Sequence, residues 1–67
     1  MAILKVIEIL ASSEKSWEDA TRQAVKMAAK TVKEIKSVYV QDMSAIVKKN
    51  DLIEFRVNVK ITFEVLN

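Results

Sequence analysis

LIEFRVNVKITFEVL, residues 52–66, alternates apolar and polar side chains almost without a break. The odd positions Ile53, Phe55, Val57, Val59, Ile61, Phe63 and Val65 are apolar; the even positions Glu54, Arg56, Asn58, Lys60, Thr62 and Glu64 are polar. A period of two held this long predicts a β-strand with one buried face and one wet or partner-facing face. At 3.3 Å per residue the strand would run about 45 Å. A lone 67-residue domain cannot cover that length, so the stretch predicts assembly as well as a strand.

The chain reads as one domain, residues 1–67. A chain this short buries only about 60% of its unfolded surface and needs a staple. There is no Cys and no His, which excludes disulfides and the common zinc and haem ligands. Oligomerisation remains, and a 51% hydrophobic composition suits it. Net charge is only +2, far from the imbalance of a dedicated nucleic-acid binder. The start MAILKVIEIL lacks the basic region and cleavage site of a signal peptide, and no apolar run reaches 18 residues. The expectation is a cytoplasmic protein without a membrane partner.

Upstream, residues 2–11 read as a first strand. Ile3, Ile7 and Ile9 lie on one face and Leu4, Val6 and Leu10 on the other, as in a strand covered on both sides. Ala11–Lys15 reads as a polar connector. Ser16-Trp17-Glu18-Asp19 resembles a capping box that opens a helix, with Asp in place of Glu or Gln. Trp17, Ala20, Ala24, Ala28 and Ile35 form its apolar stripe, broadened by Val25, Met27 and Val32. The helix is expected to end near residues 33–35, after about 18 residues or roughly 27 Å. Residues 37–47 read as a second strand, and Lys48-Lys49-Asn50-Asp51 as the reverse turn.

That turn predicts a register. If Val47 pairs with Leu52, Tyr39 falls opposite Lys60, Gln41 opposite Asn58 and Met43 opposite Arg56. Val38, Val40, Phe55, Val57 and Val59 then share the helix side, while Ser37, Tyr39, Gln41, Met43, Arg56 and Asn58 share the other. The helix is too short for the whole closing strand, so Ile61, Phe63 and Val65 are expected to overhang and seek another subunit. The fold class is α+β: β-α-β-β, a three-stranded antiparallel sheet in the order β1-β3-β2 on one helix.

Four stretches carry a resemblance to a known family: the opening KVIEI, the SSEKSWEDA helix start, AAKTV at 28–32 and the closing EFRVNVKITFEV. Together, over essentially the whole chain, they resemble the dodecins. The resemblance implies a hollow shell of twelve subunits that stores or sequesters flavin (FMN, FAD or riboflavin). In that family paired isoalloxazine rings stack between Trp residues near a two-fold axis, and a Gln of the last strand bonds the ring's pyrimidine edge. Carried over, the Trp position is Ser37 and the Gln position is Arg56. Serine has no π face, and arginine only donates where an amide both donates and accepts. Arg56 suits a phosphate or an anionic flavin. Tyr39, one side-chain step from Ser37, is a substitute stacking platform. The candidate cofactor-binding residues are therefore Ser37, Tyr39, Gln41 and Arg56. Some relatives lack the Trp, and one such branch binds calcium; the Ser-Trp-Glu helix start resembles that branch.

Other readings carry less. Glu14, Glu18, Asp19 and Asp42 offer oxygens to a hard cation, but without EF-hand spacing, and helix capping or plain surface charge explains them. Trp17 fits packing against the sheet. Lys26, Lys30, Lys33 and Lys36 form a basic stripe without interleaved aromatics, so a solvated face explains it better than nucleic acid. No nucleophile has a base and an orienter, so the chain is not expected to be an enzyme. The leading function is a dodecin-like homo-oligomeric shell with an altered flavin site. The alternative is a flavin-free structural shell that binds cations such as calcium or an anionic partner.

Overall fold

The structure, a computed structural model, describes residues 2–65. Its elements are β1 (Leu4–Ser13), α1 (Trp17–Ala28), β2 (Ile35–Lys48) and β3 (Asp51–Glu64). The strands form one antiparallel sheet in the order β1-β3-β2, and α1 packs on one face of it, which is the α+β arrangement expected. Leu66, where the period-two reading ends, lies outside the described residues.

The core is small and sits where α1 crosses β3. Ala20, Ala24 and Ala28 recur every fourth residue and so share one helix face. They are buried against Val57, Val59 and Ile61 of β3. Alanine holds the helix axis close to the sheet, and the alternate residues of β3 fill the space beneath. Ile7, Ile9, Val25, Val32, Ile35 and Val40 close the margins.

Ser16 caps the helix: its side chain accepts from the Asp19 amide at 2.9 Å, satisfying one of the free donors of the first turn. Asp19 does not complete a capping box on the Ser16 amide. Its carboxylate accepts from Ser13 Oγ at 2.6 Å, tying the helix to the end of β1. Trp17 makes two further attachments. Its indole N–H donates to the Ser44 carbonyl at 2.8 Å, and its ring meets Phe55 edge-on, centroids 4.8 Å apart at 72°.

Five features differ from the sequence reading. First, β1 extends through Ser13 rather than stopping at Ala11, because Ala11, Ser12 and Ser13 find ladder partners in Val57, Arg56 and Phe55. It is also an edge strand with one open face, so Leu4, Val6 and Leu10 are exposed rather than covered. Second, the helix ends at Ala28, five or more residues early. The amides of Lys30, Thr31 and Val32 bond back to Met27 and Ala28 and unwind the chain. Glu34, at φ 58°, then turns it so that Ile35 begins β2 opposite Phe63. Met27 falls off the apolar stripe and is exposed.

Third, the hairpin turns on Lys49 and Asn50, both with positive φ, while Asp51 already belongs to β3. Positive φ at both central residues matches the right-handed twist of the strands. Val47 does pair with Leu52, and Tyr39 with Lys60. Fourth, bulges break the register between these pairs. Gln41 is an extra residue between the Val40–Val59 and Asp42–Asn58 pairs, and Ile53 an extra residue between Ile46–Glu54 and Val47–Leu52. Gln41 therefore does not face Asn58, and Met43 does not face Arg56. Met43 lies opposite Val57 on the helix side, and Ser44 lies opposite Arg56.

Fifth, the overhang is at the other end. Ile61 is fully buried and Phe63 and Val65 are half-buried, because α1 and the segment after it lie over that end of β3. β1 stops at Phe55, so the hairpin projects from 46 to 54 without cover, giving a molecule 51 Å long and 19 by 13 Å across. Val47, Leu52 and Ile53 are exposed there.

Trp17→Phe keeps the aromatic contact with Phe55 but loses the bond to Ser44. It should lower stability by about 1 kcal/mol in urea unfolding followed by circular dichroism. A variant as stable as the parent would show that the indole bond contributes nothing.

Candidate functional site

The face of the sheet opposite α1 carries the functional question. Its central row is Glu54, Arg56, Asn58, Lys60, Thr62 and Glu64 of β3. β1 adds Leu4, Val6, Glu8, Leu10 and Ser12, paired in turn with Glu64, Thr62, Lys60, Asn58 and Arg56. β2 adds Ser37, Tyr39, Asp42 and Ser44, paired with Thr62, Lys60, Asn58 and Arg56. The Gln41 bulge brings Asp42 and Ser44 here in place of Gln41 and Met43.

This face is not simply wet. Leu10 is 78% exposed and Tyr39 65% exposed, on either side of the β3 row. A cavity of about 340 Å³ on the Leu10 side, which Tyr39 does not reach, is lined by Leu10, Ala11 and Ser12 of β1, Asp42 and Ser44 of β2, and Glu54, Arg56, Val57 and Asn58 of β3. Arg56 makes one ion pair, at 3.4 Å to Glu54 two residues back. Both side chains reach solvent, so the contact is weak and leaves most guanidinium donors free. Asn58 Oδ1 is buried without a hydrogen-bond partner among the described residues. An unmatched buried acceptor is costly, and in native proteins it usually marks a missing partner.

Of the four candidate residues, Ser37, Tyr39 and Arg56 share this face, and all are exposed. Gln41 stands in the bulge, also exposed, without a ladder partner. The three do not converge in one chain. Counting along β3, Ser37 is about 20 Å from Arg56 and Tyr39 about 13 Å from it, while Tyr39 is about 7 Å from Asn58. Sequence reading placed Asn58 on this face but gave it no role. The available signal was an amide set between two cations at alternate positions of a strand.

The cation candidates fare differently. Glu18 is paired with Arg22 at 2.9 Å, and Asp19 is engaged by Ser13. Among the described residues no three of His, Cys, Asp and Glu gather closely enough to hold a metal ion. Asp42 is the exception in placement, since it lies directly opposite the unmatched Asn58 carbonyl. No helix in the described residues is long and apolar enough to cross a membrane.

Comparison with known proteins places this geometry. The Dodecin family model matches residues 3–66. The calcium dodecin of Mycobacterium tuberculosis is 31% identical over 64 residues, covering 96% of this chain and 90% of that protein. Its crystal structure, described as that of a calcium-chelating antigen with a novel calcium-binding site, superposes with a TM-score of 0.82 at 30% identity, covering 96% of this chain and 91% of that one. A dodecin variant from T. thermophilus gives a TM-score of 0.94 at 21% identity with both chains fully covered. Dodecin from Streptomyces coelicolor gives 0.92 at 20%, covering 98% of this chain and 94% of that one. The last two share the fold. With the family model spanning nearly every described residue, the chain belongs to the dodecin family.

Proposed function

We propose that the protein is a non-enzymatic, homo-oligomeric binding shell, dodecameric as in the family resemblance, whose sheet face opposite the helix takes a flat flavin-type molecule. One observation carries the reading: a sheet face that should be polar exposes Leu10 and Tyr39 on the two sides of a row that holds Arg56 and an unmatched Asn58 carbonyl. Tyr39 offers a ring for stacking. Arg56 donates to carbonyl or phosphate oxygens. Asn58 Oδ1 accepts from a ring N–H once the side chains closing it off from solvent part. A flavin supplies all three features: a broad π face, carbonyl oxygens and a ring N–H. The residues fit it as half a site, because Tyr39 and Arg56 of one chain stand too far apart along β3 to grip one ring edge. The other half comes from a second copy.

Calcium is the second reading, favoured by the relative of M. tuberculosis and by the Asp42–Asn58 pair. Asp42 and Asn58 present a carboxylate and a free carbonyl across one ladder position, with Ser12 and Ser44 nearby. Calcium takes six to eight oxygens, so one chain again supplies part of a shell. Arg56 in the same cavity opposes a cation, which ranks this reading second.

Light scattering should give about twelve times the subunit's 7.6 kDa. Titrating the assembly into FMN or riboflavin should quench flavin fluorescence. Tyr39→Ala should weaken binding about five- to tenfold, as expected for losing a stacking worth roughly 1–1.5 kcal/mol, and Ser37→Trp should strengthen it. No quenching by the parent at micromolar protein, with quenching by Ser37→Trp, would assign the face to another ligand.

If calcium is held, a chelator should lower the melting temperature, and added calcium should restore it. An unchanged melt would remove the second reading.

Asn58→Leu replaces an acceptor that has no partner. Without ligand this variant should gain about 1 kcal/mol in stability, while its ligand affinity falls. Loss of stability instead would mean that Asn58 is already satisfied within the assembly.

A further inference from the structure

The cavity on the open face gathers three polar functions that the chain leaves unmatched. On one rung of this face Leu10, Asn58 and Asp42 stand side by side; on the next stand Ser12, Arg56 and Ser44. All six line the cavity. Asp42 is exposed, and its carboxylate has no ion pair among the described residues. Asn58 Oδ1 has no donor there. Arg56 gives its Nε to Glu54 and leaves both Nη groups without an ion pair. Lys60, the next cation along β3, stands opposite Glu8 and outside the cavity.

We propose that this cavity is a site for a small zwitterion of the α-amino acid class. The ammonium sits on Asp42 and Asn58, the carboxylate on Arg56, and an apolar side chain on Leu10. The unmatched groups select this chemistry. Two acceptors, one of them charged, share a rung, with Cβ atoms about 5 Å apart. An ammonium brings three donors and a charge, so it serves both, whereas the single ring N–H of a flavin serves one. Arg56 calls for an acceptor, and its two Nη groups suit a carboxylate. An amine alone leaves Arg56 unmatched and sets a second cation beside it. An acid alone leaves Asp42 and Asn58 unmatched and sets a second anion near Asp42.

The spacing fits as well. Asn58 and Arg56 are alternate residues of β3, about 7 Å apart. The ammonium and carboxylate of an α-amino acid are two covalent bonds apart, about 2.5 Å. A hydrogen bond of about 2.9 Å at each end lets one molecule span the two residues. Leu10 lies across Asn58 from Asp42 and is 78% exposed, so it offers apolar surface to the ligand's side chain. Asn58 Oδ1 is shut off from solvent, and its amide turns to meet the ammonium. That torsion is soft, and no bond at Oδ1 is given up.

The site goes beyond the flavin reading. It is complete in one chain and does not use Tyr39. It shares Arg56 and Asn58 with that reading, so the two ligands compete.

L-Leucine is the probe, titrated by calorimetry into the intact protein. Beside it run isopentylamine, which is leucine without its carboxylate, and 4-methylpentanoic acid, which is leucine without its ammonium. Leucine should bind once per chain, and each analogue at least tenfold more weakly, as the loss of a charge-assisted contact requires. Asp42→Asn, close in shape and exposed, should weaken leucine at least tenfold and leave 4-methylpentanoic acid no weaker. No binding at millimolar leucine, an analogue that binds as tightly as leucine, or an Asp42→Asn variant that binds leucine like the parent overturns the proposal. Each of those outcomes leaves the flavin reading standing, because that reading is decided by quenching of flavin fluorescence.

Discussion

Everything in this chain depends on how little helix is available to cover how much sheet. Three alanines on a 12-residue helix close over three alternate residues of β3, and those six side chains are the buried core among the described residues. A core of that size gives a 67-residue chain little margin against its conformational entropy. The alanines are what make it work at all. A bulkier residue at Ala24 would lift the helix from the sheet and open the contact with Val57, Val59 and Ile61 together. The same economy leaves eleven large apolar side chains exposed among the described residues, and the surface left uncovered carries the functional question.

That uncovered surface falls into three regions with different chemistry. The hairpin tip is apolar with charges at its turn. The α1–β2 groove is apolar with Lys26 and Asp19 at its margin. The open sheet face mixes Leu10 and Tyr39 with Arg56, Lys60, Asp42 and an unmatched Asn58. The first two are mainly apolar and lie away from the open sheet face. The third is flat and carries directional polar groups, which suits a flat ligand or an ion. The Gln41 bulge is what separates these roles. By shifting β2 one place it sends Met43 to the helix side and brings Asp42 and Ser44 alongside Asn58 and Arg56.

How much of this the sequence disclosed follows from where regular pairing holds. Between Phe55 and Glu64 β3 pairs with both neighbours and contributes no extra residue, the bulges there lying in β2, so its alternation survives intact, and strand, sheet order and buried face could all be read from it. The Ala20-Ala24-Ala28 spacing was as legible, since only a helix places those residues together. The bulges were not foreseen, although one left a mark. Gln41 and Asp42 are two polar residues in succession where strict alternation allows one. The helix end at Ala28 left none, because no glycine marks it and Val32 and Ile35 continue the apolar period into the turn. The overhang was placed at the wrong end for the same reason. A helix read as six residues too long at its C-terminus gives no hint that the coil after it folds down over Phe63, nor that β1 stops short of the hairpin tip. The site residues were legible as a face and not as a cluster, because a face follows from parity, whereas a cluster needs the register.

The distances along β3 limit what one chain can contribute to a site on this face. Ser37 and Arg56, which the family resemblance sets at the stacking and hydrogen-bonding positions, are separated by six residues of one strand. A ligand that touched both would have to touch two copies of the chain. Tyr39 shortens the gap to four residues and does not close it, and the oxygens around Asp42 and Asn58 are likewise too few to enclose a cation alone. For a flavin and for calcium alike, one chain presents part of a site. Binding by such a site is linked to assembly: the ligand stabilises the copies that complete it, and dilution that separates the copies removes the site. On the proposed reading, the contacts that hold the copies together would also set the distance between Tyr39 of one chain and Arg56 of another.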